Sequence, residues 1–191
     1  MNIVLASASP RRQELLGQIT SNFKIIVSNF DESSVEYNGN VCEYVNTLAV
    51  GKGKEVLEQI EDHSIIIACD TIVYYDGKIL GKPKDNNEAF LTLKMLSNNT
   101  HYVYSSIALI DSVTKETKVQ CIVTEVKFME LTEEMINEYI ATGEPLDKAG
   151  SYGIQGKGAV FVESINGCYY NVVGLSINKL YSMLREMGVN L

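Results

Sequence analysis

The sequence predicts an α/β fold: a mixed, twisted sheet with flanking helices. Two observations carry this. Short apolar runs rich in Ile, Val and Tyr alternate along the chain with segments whose apolar residues recur at helical spacing. One pair of long strand-like runs is separated only by a short polar turn, which inserts an antiparallel hairpin into the alternation. The 191 residues, 46% of them hydrophobic and 21% charged, suit a single two-lobed domain spanning residues 1–191.

Each element has a local reason. Residues 2–5 read as a short buried strand. Ser9 and Pro10 open a helix, Ser as N-cap and Pro at the first helical position, with Leu15, Leu16 and Ile19 on its apolar face. Residues 23–27 read as a second strand. A helix follows over residues 40 to about 60, where Val41, Tyr44, Val45, Leu48, Val56 and Ile60 recur at helical spacing. Gly51 and Gly53 weaken its interior and point to close packing. The run Ile65-Ile66-Ile67-Ala68-Cys69 reads as a buried strand that ends abruptly in Asp70 and continues less apolar to residue 74. A turn at Asp76-Gly77 leads to a short return strand.

Asp85 and Glu88 form a capping-box-like start for a helix to about residue 97. Residues 102–110 and 118–128 form the long hairpin. Leu131 and Ile136 staple a helix from Thr132 to about residue 141, stopped by Gly143. Gly150, Gly153, Gly156 and Gly158 mark a constrained loop. Residues 160–162 and 169–173 read as short strands. The last helix runs from residue 175 to about 187 and ends at Gly188.

Composition excludes several classes. The net charge of −8 argues against an extended nucleic-acid footprint, though not against a small anionic ligand held by local cations. No apolar run approaches the ~20 residues that cross a bilayer. The first residues carry no basic-then-apolar leader, so a cytoplasmic protein away from the membrane is expected. Cys42, Cys69, Cys121 and Cys168 form no C-x-x-C pair and are expected to be reduced thiols. The only histidines, His63 and His101, exclude a histidine-rich metal site. There is no G-x-x-x-x-G-K-[ST] phosphate loop and no dinucleotide fingerprint.

Four segments carry candidate chemistry. Asp70, with Lys82 returning on the short hairpin, places a carboxylate and a cation where open α/β sheets gather ligands; a strand-end Asp also simply forms turns. Ser7-Ala8-Ser9-Pro10-Arg11-Arg12 puts two arginines in the first turn of a helix, where the dipole favours anions, and a bound phosphate would resolve that opposition. Solvated surface arginines are the plainer alternative. Asp31-Glu32, with Asp70, could ligate Mg²⁺ through oxygen, or be a solvated loop. Lys52 and Lys54 cannot share one helix face, and Lys52 is the one expected to point into a common site. In the glycine loop, Gln155 carries both donors and an acceptor suited to a base edge.

Together these segments resemble the Maf family of nucleoside triphosphate pyrophosphatases. The resemblance runs through residues 5–16, Cys69-Asp70-Thr71-Ile72-Val73, residues 80–85, residues 139–156 and residues 171–175. It implies two α/β lobes around a deep cleft, as in inosine triphosphatase-like folds, usually in a homodimer. It implies hydrolysis between the α- and β-phosphates, with a divalent cation, Mg²⁺ or Mn²⁺, as cofactor. Asp70 matches the family's general base. Arg12, Glu32, Lys52 and Lys82 match positions implicated in phosphate or metal binding, with Glu32 and Asp70 as the metal ligands and Ser7 in the first motif. Arg11, Thr71 and Gln155 match positions that mark the branch acting on dTTP and UTP, and the loop Gly150-Ser-Tyr-Gly-Ile-Gln155-Gly156 looks like that branch. The family name also carries an alternative: a nucleotide-binding regulator of septum formation whose hydrolysis is incidental.

Overall fold

Three helices start where the sequence supplies a side-chain cap. Asn40 accepts from Glu43 N–H, Asp85 from Glu88 N–H and Thr132 from Met135 N–H. In the second case Glu88 reaches back to Lys84 N–H at 2.8 Å, a capping box displaced by one residue. A computed structural model describes residues 1–190. The elements are β1 (Asn2–Leu5), α1 (Pro10–Gly17), β2 (Lys24–Ile25), α2 (Val41–Leu57), β3 (Ser64–Tyr75), β4 (Lys78–Leu80), α3 (Asn86–Leu96), β5 (Thr100–Asp111), β6 (Thr117–Phe128), α4 (Glu133–Ile140), β7 (Val162–Asn166), α5 (Tyr169–Val173) and α6 (Ile177–Glu186). The seven strands form one sheet in the order β2-β1-β3-β5-β6-β7, with β4 paired to β3. Parallel pairs β1–β2 and β1–β3 and antiparallel pairs β3–β4 and β6–β7 make it the mixed sheet the alternation predicts. Among the described residues no helix is long and apolar enough to cross a membrane.

The chain divides into two compact units, and β3, β5 and β6 each contribute to both. Unit 1 comprises residues 1–70, 105–122 and the segment from Gly174 on. Its core joins Val4, Ala6, Ala49, Val56, Ile66, Ala68, Ala108 and Ile110. Gly53 explains how α2 lies so close to the sheet. A Cβ there would meet Ile110 Cδ1 at 2.8 Å and Ala68 Cβ at 3.2 Å. Gly51 likewise leaves room for the Phe30 ring. Cys42 on α2 and Cys121 on β6 are joined by a disulfide, Cα–Cα 5.6 Å, against the expectation of four reduced thiols. They lie 79 residues apart, so only the fold makes them neighbours. Cys69 and Cys168 remain thiols.

Unit 2 comprises Thr71–Tyr104 and Val123–Val173. β4 pairs with the second half of β3, Val73 opposite Leu80. α3 packs on α4 and on the turns that follow it. A run of edge-to-face rings, His101–Tyr152–Phe128–Phe161–Tyr139, fills the interior, with centroids 4.7–5.9 Å apart. The expected strand over residues 169–173 is instead the short helix α5. Its residues favour strands, but the tertiary context decides. Asn171 and Val172 N–H both donate to the Cys168 carbonyl, and the turn carries the Asn171 amide inward. There it donates to Val103 O and Thr124 Oγ1, each at 3.0 Å. A strand would leave that buried amide unserved.

Candidate active site

Asp70 lies in the middle of β3, not at a strand end. It nevertheless lies just past the carboxyl end of the parallel part of the sheet. The parallel part of the sheet stops earlier, where Leu5 pairs with Ile67 and Ala6 N–H donates to Ile67 O at 2.8 Å. Asp70 follows just beyond that edge, 7% exposed. Because Gly53 lets α2 touch Ala68, the neighbouring Lys52 reaches Asp70. Its ammonium contacts Asp70 Oδ1 and lies 2.8 Å from Glu32 Oε1. Lys52 and Asp70 are largely buried, whereas Glu32 is exposed. Asp31 does not join them. It caps the short turn Glu32–Ser34 by accepting from Ser33 N–H. Lys54 points the other way and lines an open cavity of about 670 Å³ with Phe30, Thr47 and Val50. Two positions apart on α2, Lys52 and Lys54 thus face different surroundings.

Arg12 arrives from the first turn of α1. Its Nε donates to Gly174 O (3.0 Å), and Nη1 donates to Cys69 O (2.9 Å) and Ser7 Oγ (3.3 Å). The guanidinium fork therefore ties the β1–α1 loop and the chain before α6 to the residue preceding Asp70. Sequence reasoning anticipated an anion-facing arginine. This pinning function was not legible, because carbonyl partners leave no trace in side-chain composition. Arg11 is half-buried in the same turn. Burial is the largest influence on Asp70 and raises its pKa above the usual 3.8; the charges of Lys52 and Arg12 counter it without cancelling it. Burial also pushes the adjacent Cys69 thiol up to about 11, so it stays protonated and inert.

Thr71, Lys82 and Gln155 belong to unit 2. Within that unit the structure connects their segments. Gly150 N–H donates to Gly81 O at 3.1 Å, joining the glycine loop to the residue before Lys82. Gly150 has φ +69, and a Cβ there would meet Val73 Cγ2 at 2.9 Å, two residues after Thr71. Lys82 and Gln155 are exposed, and Thr71 is half-buried. The loop closes over Glu144, whose carboxylate accepts from Tyr139 Oη (2.9 Å) and Lys157 N–H (3.0 Å). Sequence reasoning passed over Glu144. Its one signal is a Glu-Pro pair four residues after the end of α4, followed by a glycine-rich segment.

The fold defined by this sheet and its helices is shared with a solved structure. The Staphylococcus aureus Ham1 protein superposes with a TM-score of 0.51 at 18% identity, covering 98% of this chain and 100% of that one. The Maf-like protein family model matches residues 2–187, and the chain belongs to that family. Similar relatives named dTTP/UTP pyrophosphatase come from Clostridium novyi (strain NT), 56% identical over 191 residues and all of both chains, and from Clostridium botulinum (strain Kyoto / Type A2), 56% identical over 192 residues, covering 100% of this chain and 99% of that one. A third, from Clostridium tetani (strain Massachusetts / E88), is 55% identical over all of both chains.

Proposed function

We propose that this chain is a nucleoside triphosphate pyrophosphatase acting on UTP and dTTP. One observation carries the reading: Asp70 is buried against an ammonium in a chain that aligns end to end with relatives named dTTP/UTP pyrophosphatase. Burial raises the Asp70 pKa above its usual 3.8, the direction that strengthens a general base. Asp70 takes a proton from water as the oxygen attacks the α-phosphorus. The bond to the bridging oxygen breaks, and pyrophosphate leaves with the electron pair. Lys52, Arg12 and Lys82 supply positive charge to the polyphosphate, and Ser7 and Arg12 hold the β1–α1 loop in place. Thr71, Arg11 and Gln155 select the nucleoside. A regulator that only binds nucleotide needs the cations but not a buried carboxylate, so Asp70 favours hydrolysis over the septum-formation alternative.

The proposed cofactor is Mg²⁺ or Mn²⁺. The donor set fits, because the Lys52 ammonium already lies between Asp70 and Glu32, so both carboxylates converge on one cation-sized position. Among the described residues no group of three or more acidic, His or Cys side chains forms a protein-only cage. Mg²⁺ characteristically takes one or two carboxylates and completes its shell with waters and substrate phosphates. Bound by Asp70 and Glu32, the ion would neutralise phosphate charge and polarise the phosphorus–oxygen bonds.

A panel of nucleoside triphosphates with Mg²⁺ or Mn²⁺, read for pyrophosphate against orthophosphate, tests the reading. Pyrophosphate from UTP and dTTP supports it; orthophosphate, or no turnover of any nucleotide, overturns it. The same proposal places the protein in the cytoplasm as a homodimer. Light scattering should give twice the 21.2 kDa chain mass.

A further inference from the structure

The loop that carries Gln155 is wrapped around a carboxylate. Glu144 Oε2 accepts from Lys157 N–H at 3.0 Å. Its Oε1 accepts from Tyr139 Oη at 2.9 Å and from Gly158 N–H at 3.5 Å. Tyr139 Oη in turn accepts from Gly153 N–H at 3.0 Å. Gln155 therefore sits between two held points, Gly153 on one side and Lys157 on the other. The feet of the loop are fixed as well. Tyr152 and Phe161 are buried and both meet Phe128, at 4.7 and 5.9 Å between centroids. Lys148 Nζ donates to the Glu144 carbonyl at 2.8 Å and keeps that residue in place.

The glycines make room for this carboxylate. A Cβ on Gly156 would meet Glu144 Oε1 at 2.2 Å, and one on Gly153 would meet Lys148 Cε at 2.6 Å. Gly156 has φ −105 and ψ −153, extended backbone that any residue adopts, so it is glycine for space alone. A carboxylate with several donors fixes one backbone path, where a glycine-rich segment by itself would sample many.

We propose that Glu144 is the positioning residue for base selection, fixing where Gln155 presents its amide. The inference rests on the pyrophosphatase reading and deepens it. Uracil and thymine offer an N–H flanked by carbonyl oxygens, whereas cytosine offers a ring acceptor beside an amino donor. An amide carries a donor and an acceptor side by side, so it suits either pattern if it can move. Discrimination requires the amide to be held. Glu144 meets no substrate in this scheme and acts through Gln155.

The test compares Glu144→Ala, Gln155→Ala and the double variant. kcat and KM are measured for UTP, dTTP and CTP, alongside backbone amide exchange at Lys157 and Gly158. Glu144→Ala should speed exchange at both amides. It should raise KM for UTP and dTTP about tenfold, with kcat changed by less than about threefold. The preference for UTP over CTP should fall to that of Gln155→Ala, and the double variant should be no worse than Gln155→Ala alone. An equal loss of kcat on all three nucleotides, or losses that multiply in the double variant, would overturn the inference. If Glu144→Ala does not fold, Tyr139→Phe removes the Gly153 clamp and the hydroxyl's bond to Glu144 while leaving the Lys157 clamp, and the same selectivity ratio decides. A wild type without preference for UTP and dTTP overturns the proposed function and the selection role with it. A selective wild type whose preference survives Glu144→Ala overturns the inference alone.

Discussion

Asp70 and Glu144 are both carboxylates enclosed by polar partners, one in each unit, and their surroundings drive them in opposite directions. Around Asp70 the largest influence is burial, and it wins: the pKa rises despite Lys52 and Arg12. Around Glu144 burial is also the largest single influence, but it loses. The Lys157 N–H, the Tyr139 hydroxyl, the Gly158 N–H and the Lys148 charge together hold the pKa below its usual 4.5. The partners explain the difference. Asp70, on an interior strand, is met by a side-chain ammonium, which substrate or metal can displace. Glu144 is met by backbone N–H groups that cannot leave. One carboxylate is held ready to take a proton; the other is a fixed acceptor that shapes a loop.

The largest expected effect breaks the chemistry on one side of this contrast. Asp70→Asn should lower kcat for UTP about 10³-fold or more while nucleotide binding persists. Turnover within tenfold of wild type would remove Asp70 from the role of base. Loss of Lys52 should also act on pH. The Lys52 charge holds the Asp70 pKa down, and the base works deprotonated. Lys52→Met should therefore move the acid limb of the kcat/KM profile to higher pH, and lower the plateau by about 10²-fold. An unmoved limb would mean the two groups are not coupled.

The units also differ in what cross-links them. Unit 1 is closed by Cys42–Cys121, whereas unit 2 relies on its rings and hydrogen bonds. A disulfide closing a loop of this length is worth on the order of 4 kcal/mol through the unfolded chain. Reduction should lower the urea midpoint by that measure and speed amide exchange in α2, leaving the loop around Glu144 protected. An unchanged midpoint would indicate that the bond contributes nothing to unit 1.

The sequence reached the first half of the site better than the second, for a physical reason. Asp70 ends a clear apolar run and Lys52 lies on a clear helix face, so each could be singled out from the sequence, although Asp70 is paired there with Lys82 and its contact is Lys52. Most other elements were legible from caps and apolar spacing, down to Asp85 and Thr132. What failed depends on contacts distant in sequence or on backbone. Residues 169–173 look like a strand because the pull on Asn171 from Val103 and Thr124 is tertiary. Arg12 spends its donors on carbonyls. Glu144 answers to backbone N–H groups of glycine-rich chain, which every sequence possesses. The disulfide needs the fold before its cysteines become neighbours.

His101 gives unit 2 its own pH signature. Buried with Nε2 2.8 Å from Tyr152 Oη, it is held well below its usual 6.5, at about 4, by burial. Between those values the unfolded chain binds the extra proton and the folded one does not. Stability should therefore rise with pH across that window and be lost as pH falls toward 4, by about 3 kcal/mol. Denaturant titrations at a series of pH values should show this slope, and His101→Gln should flatten it. A slope unchanged in the variant would assign it to other groups.

The smallest expected effect is the sharpest on the contrast itself, because two substitutions of the same kind should move stability in opposite directions. Asp70 has a raised folded pKa, so the native state binds more protons than the unfolded chain above 3.8, and ionised Asp70 costs stability at neutral pH. Asp70→Asn removes that cost, and Lys52 keeps Glu32 as its partner. The variant should be no less stable than wild type at neutral pH, with the two converging as pH falls below the folded pKa. Glu144 has a lowered folded pKa, so its contribution is present above 4.5 and is lost as pH falls through the folded value. Glu144→Gln replaces one acceptor oxygen with a donor facing N–H or O–H groups, which should cost about 1 kcal/mol at neutral pH. That deficit should shrink in acid. Thermal denaturation of both variants at neutral and acidic pH reads both signs. If Asp70→Asn falls while Glu144→Gln holds, the two carboxylates have exchanged roles.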